Sequence, residues 1–229
     1  METKRKISKD KYILAAILTA LIFSLGLTLG FLMENYRGNW MEKVNKNQEN
    51  EYESLQLQYY YINELEGQED ICPVLQTTLN GAIEDLSESL SEFLEYEKDS
   101  RLDPEEFDMA GRKYLLDNIR YWLFAKKSKE LCNLEIVPIL YFYEEDCPNC
   151  PSQGTLLTYF RNTFEGKVLV FPINMNFQDS ESLLKILASE FKVNQYPTLI
   201  IDGKKYEGMI PKQQLHELIC ESLTEDELC

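Results

Sequence analysis

The chain has 229 residues and a mass of 26.8 kDa, room for one large domain or two small ones plus an anchor. Its 44% hydrophobic and 27% charged residues describe a globular chain and exclude a disordered or collagenous one. A net charge of −16 disfavours nucleic-acid partners, and the single histidine, His216, excludes a His-rich metal site and a His-based triad.

Residues 1–11 form a basic tail carrying Lys4, Arg5, Lys6, Lys9 and Lys11. Residues 12–33, Tyr12 to Met33, hold no charge and measure about 33 Å as a helix, enough to cross a bilayer. A cleaved signal peptide is the rival reading. Its apolar core is typically about 7–15 residues and ends at a small-residue site, whereas here Met-Glu-Asn-Tyr-Arg follows, so an uncleaved signal anchor fits better. Residues 34–229 carry 18 basic against 37 acidic residues. The positive-inside rule therefore puts the N-terminus in the cytoplasm and the rest of the chain outside, at the cell membrane. Gly26 and Gly30 make a GxxxG, read either as a helix-packing motif or as ordinary membrane-helix glycines. The extracytoplasmic placement permits disulfides.

Residues 34–132 read as a helical stalk and hairpin. Tyr52, Leu55, Tyr59 and Ile62 make one narrow apolar stripe, and Tyr59-Tyr60-Tyr61 divides between core and surface. After Asp70 as N-cap, Ile71, Leu75, Leu79, Ala82, Leu86, Leu90 and Phe93 keep a helical step until Asp99-Ser100. Asp103 caps a second helix, with Pro104 at its first position and acids in its first turn. Two helices of similar length, 71–99 and 104–131, joined by a short turn, become antiparallel neighbours. Cys72 and Cys132 then meet at the open end. A structural disulfide there closes a loop of about 60 residues and contributes about 4 kcal/mol by loop entropy, the alternative being two unrelated buried thiols. Spacer, dimerisation surface and partner platform all remain open for this hairpin.

From 133 the texture changes. Ile136 to Tyr143 is a continuous apolar run expected of a strand buried on both faces. Cys147-Pro148-Asn149-Cys150 and a helix follow, then a strand from Val168 to Ile173 and a helix from Ser180 to Lys192. Thr198 to Ile201, the Asp202-Gly203 turn and Tyr206 to Ile210 read as a hairpin, and a last helix covers Pro211 to Leu223. The order is β-α-β-α-β-β-α. A CxxC at a strand-to-helix junction has a physical logic. The positive helix end stabilises a thiolate on the first cysteine, and the second is near enough to form a reversible disulfide with it. A zinc site would need a second ligand pair, which the chain lacks.

The CPNC motif, this element order and the stretch Phe191-Lys-Val-Asn-Gln-Tyr-Pro-Thr-Leu-Ile200, with Gly203 and Gly208, resemble the thioredoxin superfamily over about 133–224. The resemblance implies a thioredoxin-like α/β fold at the C-terminus and thiol–disulfide exchange. Cys147 would be the attacking, more exposed thiol and Cys150 the resolving one. Pro197 would be a cis-proline packed against the disulfide, shaping a substrate groove with Tyr196 and Thr198. Pro148 is similar to DsbA-like oxidases and glutaredoxins. This chain departs from the pattern in four ways: no Trp precedes the motif, Tyr141 stands where many relatives keep a buried carboxylate, Glu144, Glu145 and Asp146 crowd the thiol, and Asn149 replaces a cationic His. The expected potential is therefore less oxidising than that of DsbA.

Cys220 and Cys229 either bridge to staple the tail or leave a free thiol at Cys229, and His216 is expected at the surface of the last helix. The organisation expected is thus a tail (1–11), an anchor in the lipid bilayer (12–33), a helical region (34–132) and a thioredoxin-like domain (133–229). No organic cofactor and no metal are implied. The expected partners are extracytoplasmic proteins with cysteines and, from the family, a membrane redox partner. The rival reading is a non-catalytic tethered adaptor whose CxxC is a structural disulfide.

Overall fold

The computed structural model describes residues 9–65, 71–98, 104–223 and 227–229. The caps expected at Asp70 and Asp103, the break at Asp99-Ser100 and the basic residues 4–6 lie outside them. The chain divides into two compact units, Met1–Glu64 and Leu65–Cys229.

The first unit is one helix, α1, Lys9–Glu64. Among the described residues it is the helix long and apolar enough to cross a membrane, over Ile13–Phe31 at a mean hydropathy of 2.3. Within that stretch the hydroxyls of Thr19 and Thr28 donate back to Ala15 O and Leu25 O, both at 2.9 Å. These hydroxyls are thereby satisfied within the helix. Tyr59, Tyr60 and Tyr61 are all about 60% exposed, so the expected division of these rings between core and surface does not occur.

The second unit is mixed α/β. In chain order it contains α2 (Cys72–Lys98), α3 (Pro104–Cys132), β1 (Val137–Tyr143), α4 (Cys150–Thr163), β2 (Val168–Asn174), a 3₁₀ turn (Met175–Phe177), α5 (Ser182–Glu190), β3 (Thr198–Ile201), β4 (Lys204–Glu207) and α6 (Lys212–Ser222). The four strands are ordered β2-β1-β3-β4, with β1 parallel to β2 and the other pairs antiparallel. β1 is internal, and six of its seven residues are buried. The run from Val168 is apolar like β1. Yet β2 is an edge strand with alternating burial, a place where Pro172 costs no ladder bond.

Alternation along β1 separates two cores. Val137, Ile139 and Tyr141 face Leu157 and Phe160 of α4 and Leu215 and Ile219 of α6. Leu140 and Phe142 face the other way, onto a core shared with α3 (Leu115, Ile119, Trp122) and α5 (Leu184, Leu187). The α2–α3 hairpin is therefore a layer of this unit. The boundary expected at 132/133 is not where the fold divides, because the second apolar face of the sheet needs a cover and α3 supplies it. Polar ties reinforce the layer. Lys129 Nζ lies 2.6 Å from Asp202 Oδ1, and Ser180 Oγ donates to Asp108 Oδ1 at 2.9 Å. Within the hairpin, Arg120 reaches Asp85 at 2.6 Å.

Several ends differ from the sequence expectation. α5 begins at Ser182 rather than Ser180, because the Glu181 carboxylate accepts from Leu183 N at 3.0 Å and caps it there. β4 runs Lys204–Glu207, not 206–210. Asp202 and Gly203 both take positive φ (48° and 76°), which makes a two-residue turn and pairs Ile201 with Lys204 directly. Gly208, at φ 80°, then ends the strand.

Candidate functional site

The CxxC and the 196–198 segment arrive at one end of the sheet for a topological reason. β1 ends at Tyr143 and releases the loop 144–149 into α4, whereas β3 runs antiparallel to β1 and begins with Thr198 opposite Phe142. The chain leaving one strand is thus placed beside the chain entering the other.

Cys150 is the first residue of α4, and Pro151 follows it in the first turn, where its missing N–H costs nothing. Cys147 and Cys150 are joined, with their sulfurs 2.08 Å apart and Cα atoms 5.4 Å apart. The loop is held by backbone bonds from Cys147 N to Glu144 O (3.4 Å) and from Cys150 N to Cys147 O (3.3 Å). Asn149 occupies the N-cap position without a side-chain bond to the helix, and its carbonyl accepts the first helical bond from Gln153 N at 3.0 Å. Pro148 and Asn149 are exposed.

By residue burial Cys147 is no more exposed than Cys150. The two residues are 5% and 4% exposed, equally covered, because both join the core under β1, with the Tyr143 and Tyr196 rings packed on that core. Glu144 is half-buried, while Glu145 and Asp146 are exposed to solvent, which screens their charge from the sulfurs. Glu145 N is tied to Asn176 Oδ1 at 3.3 Å, so the acidic loop is anchored to the 3₁₀ turn.

Behind the disulfide, where a carboxylate would sit in the resemblance, the buried Tyr141 hydroxyl donates to Cys150 O at 2.6 Å. Burial pushes the Tyr141 phenol well above its ordinary range, with Tyr143 adding to the shift, so it stays neutral. A Cβ added at Gly154 would stand 3.7 Å from the Tyr141 ring, ordinary contact, so the ring packs against α4 at this position.

The Tyr196–Pro197 peptide is cis. Pro197 and Thr198 are buried and Tyr196 half-exposed. Pro197 O accepts from Gly208 N at 2.8 Å, and Thr198 Oγ1 donates to Gln195 O at 2.7 Å. Burial, then the Glu144 carboxylate, raise the Tyr196 phenol above its ordinary value.

Sequence reasoning missed Gln153. It is wholly buried on the stripe Cys150, Gln153, Leu157, Phe160 of α4, and its Oε1 accepts from Ile210 N at 2.8 Å. The available signal was a polar residue on an otherwise apolar stripe.

The remaining cysteines lie elsewhere. Cys72 and Cys132 are joined at the open end of the hairpin (S–S 2.17 Å), and Cys220 is joined to Cys229 (1.97 Å). His216, expected at the surface, is half-buried. The bridged tail folds back so that its Nε2 donates to Leu228 O at 3.0 Å, with the Phe160 and Phe164 rings 6.0 Å away. Among the described residues no group of three or more His, Cys, Asp or Glu could hold a metal ion.

No protein-family model and no curated protein matches the chain. Among solved structures, it is similar to a malarial protein at 21% identity and a TM-score of 0.33, over 39% of this chain and 99% of that one. It is also similar to chloroplastic thioredoxin z at 18% identity and a TM-score of 0.34, over 43% of this chain and 88% of that one.

Proposed function

We propose that the chain is a membrane-anchored thiol–disulfide oxidoreductase with a thioredoxin-like fold, held by residues 12–33 and acting outside the cytoplasm on cysteine-containing proteins. The observation that carries the reading is the Cys147–Cys150 disulfide closed at the first residue of α4, at the sheet end that also holds Tyr196, Pro197 and Thr198. In the reducing direction the Cys147 thiolate attacks a substrate disulfide, forming a mixed disulfide and releasing one substrate thiolate. Cys150 then attacks Cys147 Sγ, restoring the intramolecular bond and releasing the second. Run backwards, the same steps oxidise a substrate dithiol. Tyr196, Pro197 and Thr198 would line the substrate, and a membrane partner would return the pair to its starting state, a dithiol in the reducing direction and a disulfide in the oxidising one. The positive end of the α4 dipole favours the thiolate and the acidic loop opposes it.

A second reading, a tethered adaptor with a structural disulfide, draws on the burial of both cysteines. One titration separates them. The full chain in detergent is equilibrated with glutathione and the Cys147–Cys150 pair read by alkylation, while Cys150→Ser is used to trap mixed disulfides. A potential between about −120 and −270 mV with trapped proteins is expected. A pair below about −300 mV that traps nothing would leave the adaptor.

A further inference from the structure

The helix that carries Cys150 bears one wholly buried polar side chain that the exchange above does not use. Gln153 follows Cys150 by three residues on the buried stripe of α4, and side chains at that spacing lie over one another on one face. The orientation of its amide is decided by its neighbour. Ile210 N–H is a donor only, so the Gln153 atom 2.8 Å from it is the oxygen. Nε2 therefore turns away from Ile210 while remaining buried, and it has no hydrogen-bond partner. Buried donors are kept unpaired only at a cost, so this one points to an acceptor that exists in another state of the protein. A disulfide sulfur accepts weakly, whereas a thiolate accepts strongly. One turn away, Cys150 changes between those two forms. The buried Tyr141 hydroxyl already donates to the Cys150 carbonyl.

We infer that Gln153 Nε2–H is the donor that receives the Cys150 sulfur when the Cys147–Cys150 bond breaks, an inference that rests on reading the pair as a redox centre. An incoming thiolate bonds to Cys147 Sγ, and the electron pair of the Cys147–Cys150 bond leaves on Cys150 Sγ. Gln153 donates a hydrogen bond to that thiolate and keeps its proton. A second incoming thiolate attacks the first one's sulfur in the mixed disulfide, releasing Cys147 as a thiolate, and solvent supplies any protons the two cysteines take up. The donor stabilises the reduced form more than the disulfide and makes the pair easier to reduce. An amide in this place supports a leaving thiolate without acting as a base.

The test uses the full chain in detergent at about pH 8.5, the free-thiol value. It is equilibrated with glutathione buffers, and with dithiothreitol buffers where the pair lies beyond their reach. Peptide mass spectrometry after alkylation scores Cys147–Cys150 separately from the other two bridges. Gln153→Glu keeps an acceptor for Ile210 N and removes the amide donors, while Gln153→Met removes both. The reduction equilibrium of each variant should shift toward the disulfide by about tenfold or more, the worth of a hydrogen bond to a charged group. A Gln153→Glu equilibrium indistinguishable from wild type, whatever Gln153→Met does, overturns the donor role and leaves Gln153 a tie to Ile210. The wild-type titration judges the oxidoreductase reading separately, because the ratio of variant to wild type is readable in these buffers even for a structural disulfide.

Discussion

Tyr141 and Gln153 flank the same turn of α4 and treat their polar atoms differently. The Tyr141 hydroxyl is spent on Cys150 O, whereas Gln153 Nε2 is buried without a partner, a state that costs about 1–3 kcal/mol. Tyr141→Phe should lower stability by about 1 kcal/mol at neutral pH, since it deletes one bond and leaves the ring in place. It should also change the alkaline response. Burial raises the Tyr141 phenol above its ordinary 10.0, so the folded state holds the proton more tightly than the unfolded one. That contribution is complete below the unfolded value and is lost as pH rises beyond it through the folded value. Urea unfolding between about pH 7 and 11 should show wild type losing stability above about pH 10, with a shallower decline in Tyr141→Phe. Equal slopes would show that Tyr141 does not carry this linkage.

At the scale of elements, the hairpin and the sheet depend on each other. Gly111 of α3 is buried where a Cβ would collide with the Phe177 ring, and Phe177 lies 6.3 and 6.1 Å from the rings of Phe93 and Phe107 near the tip of the hairpin. Gly111→Leu should therefore destabilise the Leu65–Cys229 unit by about 1–3 kcal/mol through overpacking, read as a lower urea midpoint. At the other end of the hairpin, Cys72→Ser with Cys132→Ser releases a 60-residue loop and should cost about 4 kcal/mol. Because α3 covers the sheet, both changes should unfold α4 and the β-strands in the same transition as the hairpin. A separate early transition for the hairpin alone would contradict the shared core. The helices themselves were legible, since Leu75, Leu79 and Ala82 repeat with a helical period. So was the CxxC, because both its cysteines lie within one turn. What covers the second face of β1 was not legible. Periodicity says that a face of α3 is buried but not against what, and the Gly111–Phe177 contact joins residues that no local pattern links. The β4 boundary moved for a similar reason, a turn tighter than the apolar residues around Tyr206 suggested. Gln153 escaped notice because its role is set by Ile210, far along the chain.

On the proposed function, the chain as a whole couples an address to a chemistry. The five basic residues of the tail precede the apolar stretch Ile13–Phe31, and 37 acidic residues follow against 18 basic ones. On the proposed topology all six cysteines lie outside the cytoplasm, where three bridges persist. Placing Lys at Leu21 and at Leu25 together should abolish insertion, because each charge near the middle of a span costs about 2.5–3.5 kcal/mol on the insertion scale. The retained chain would then meet the reducing cytosol. Alkylation of intact cells before lysis, followed by fractionation, reads both consequences at once. Wild type should sediment with membranes, resist alkaline extraction and take up little label without prior reduction. The double variant should lose the membrane fraction and become labelled at Cys147 and Cys150, the pair whose bond is closed within one turn rather than across a folded layer. Wild type found in membranes with all six cysteines labelled would place residues 34–229 on the cytoplasmic side and remove the extracytoplasmic part of the proposal.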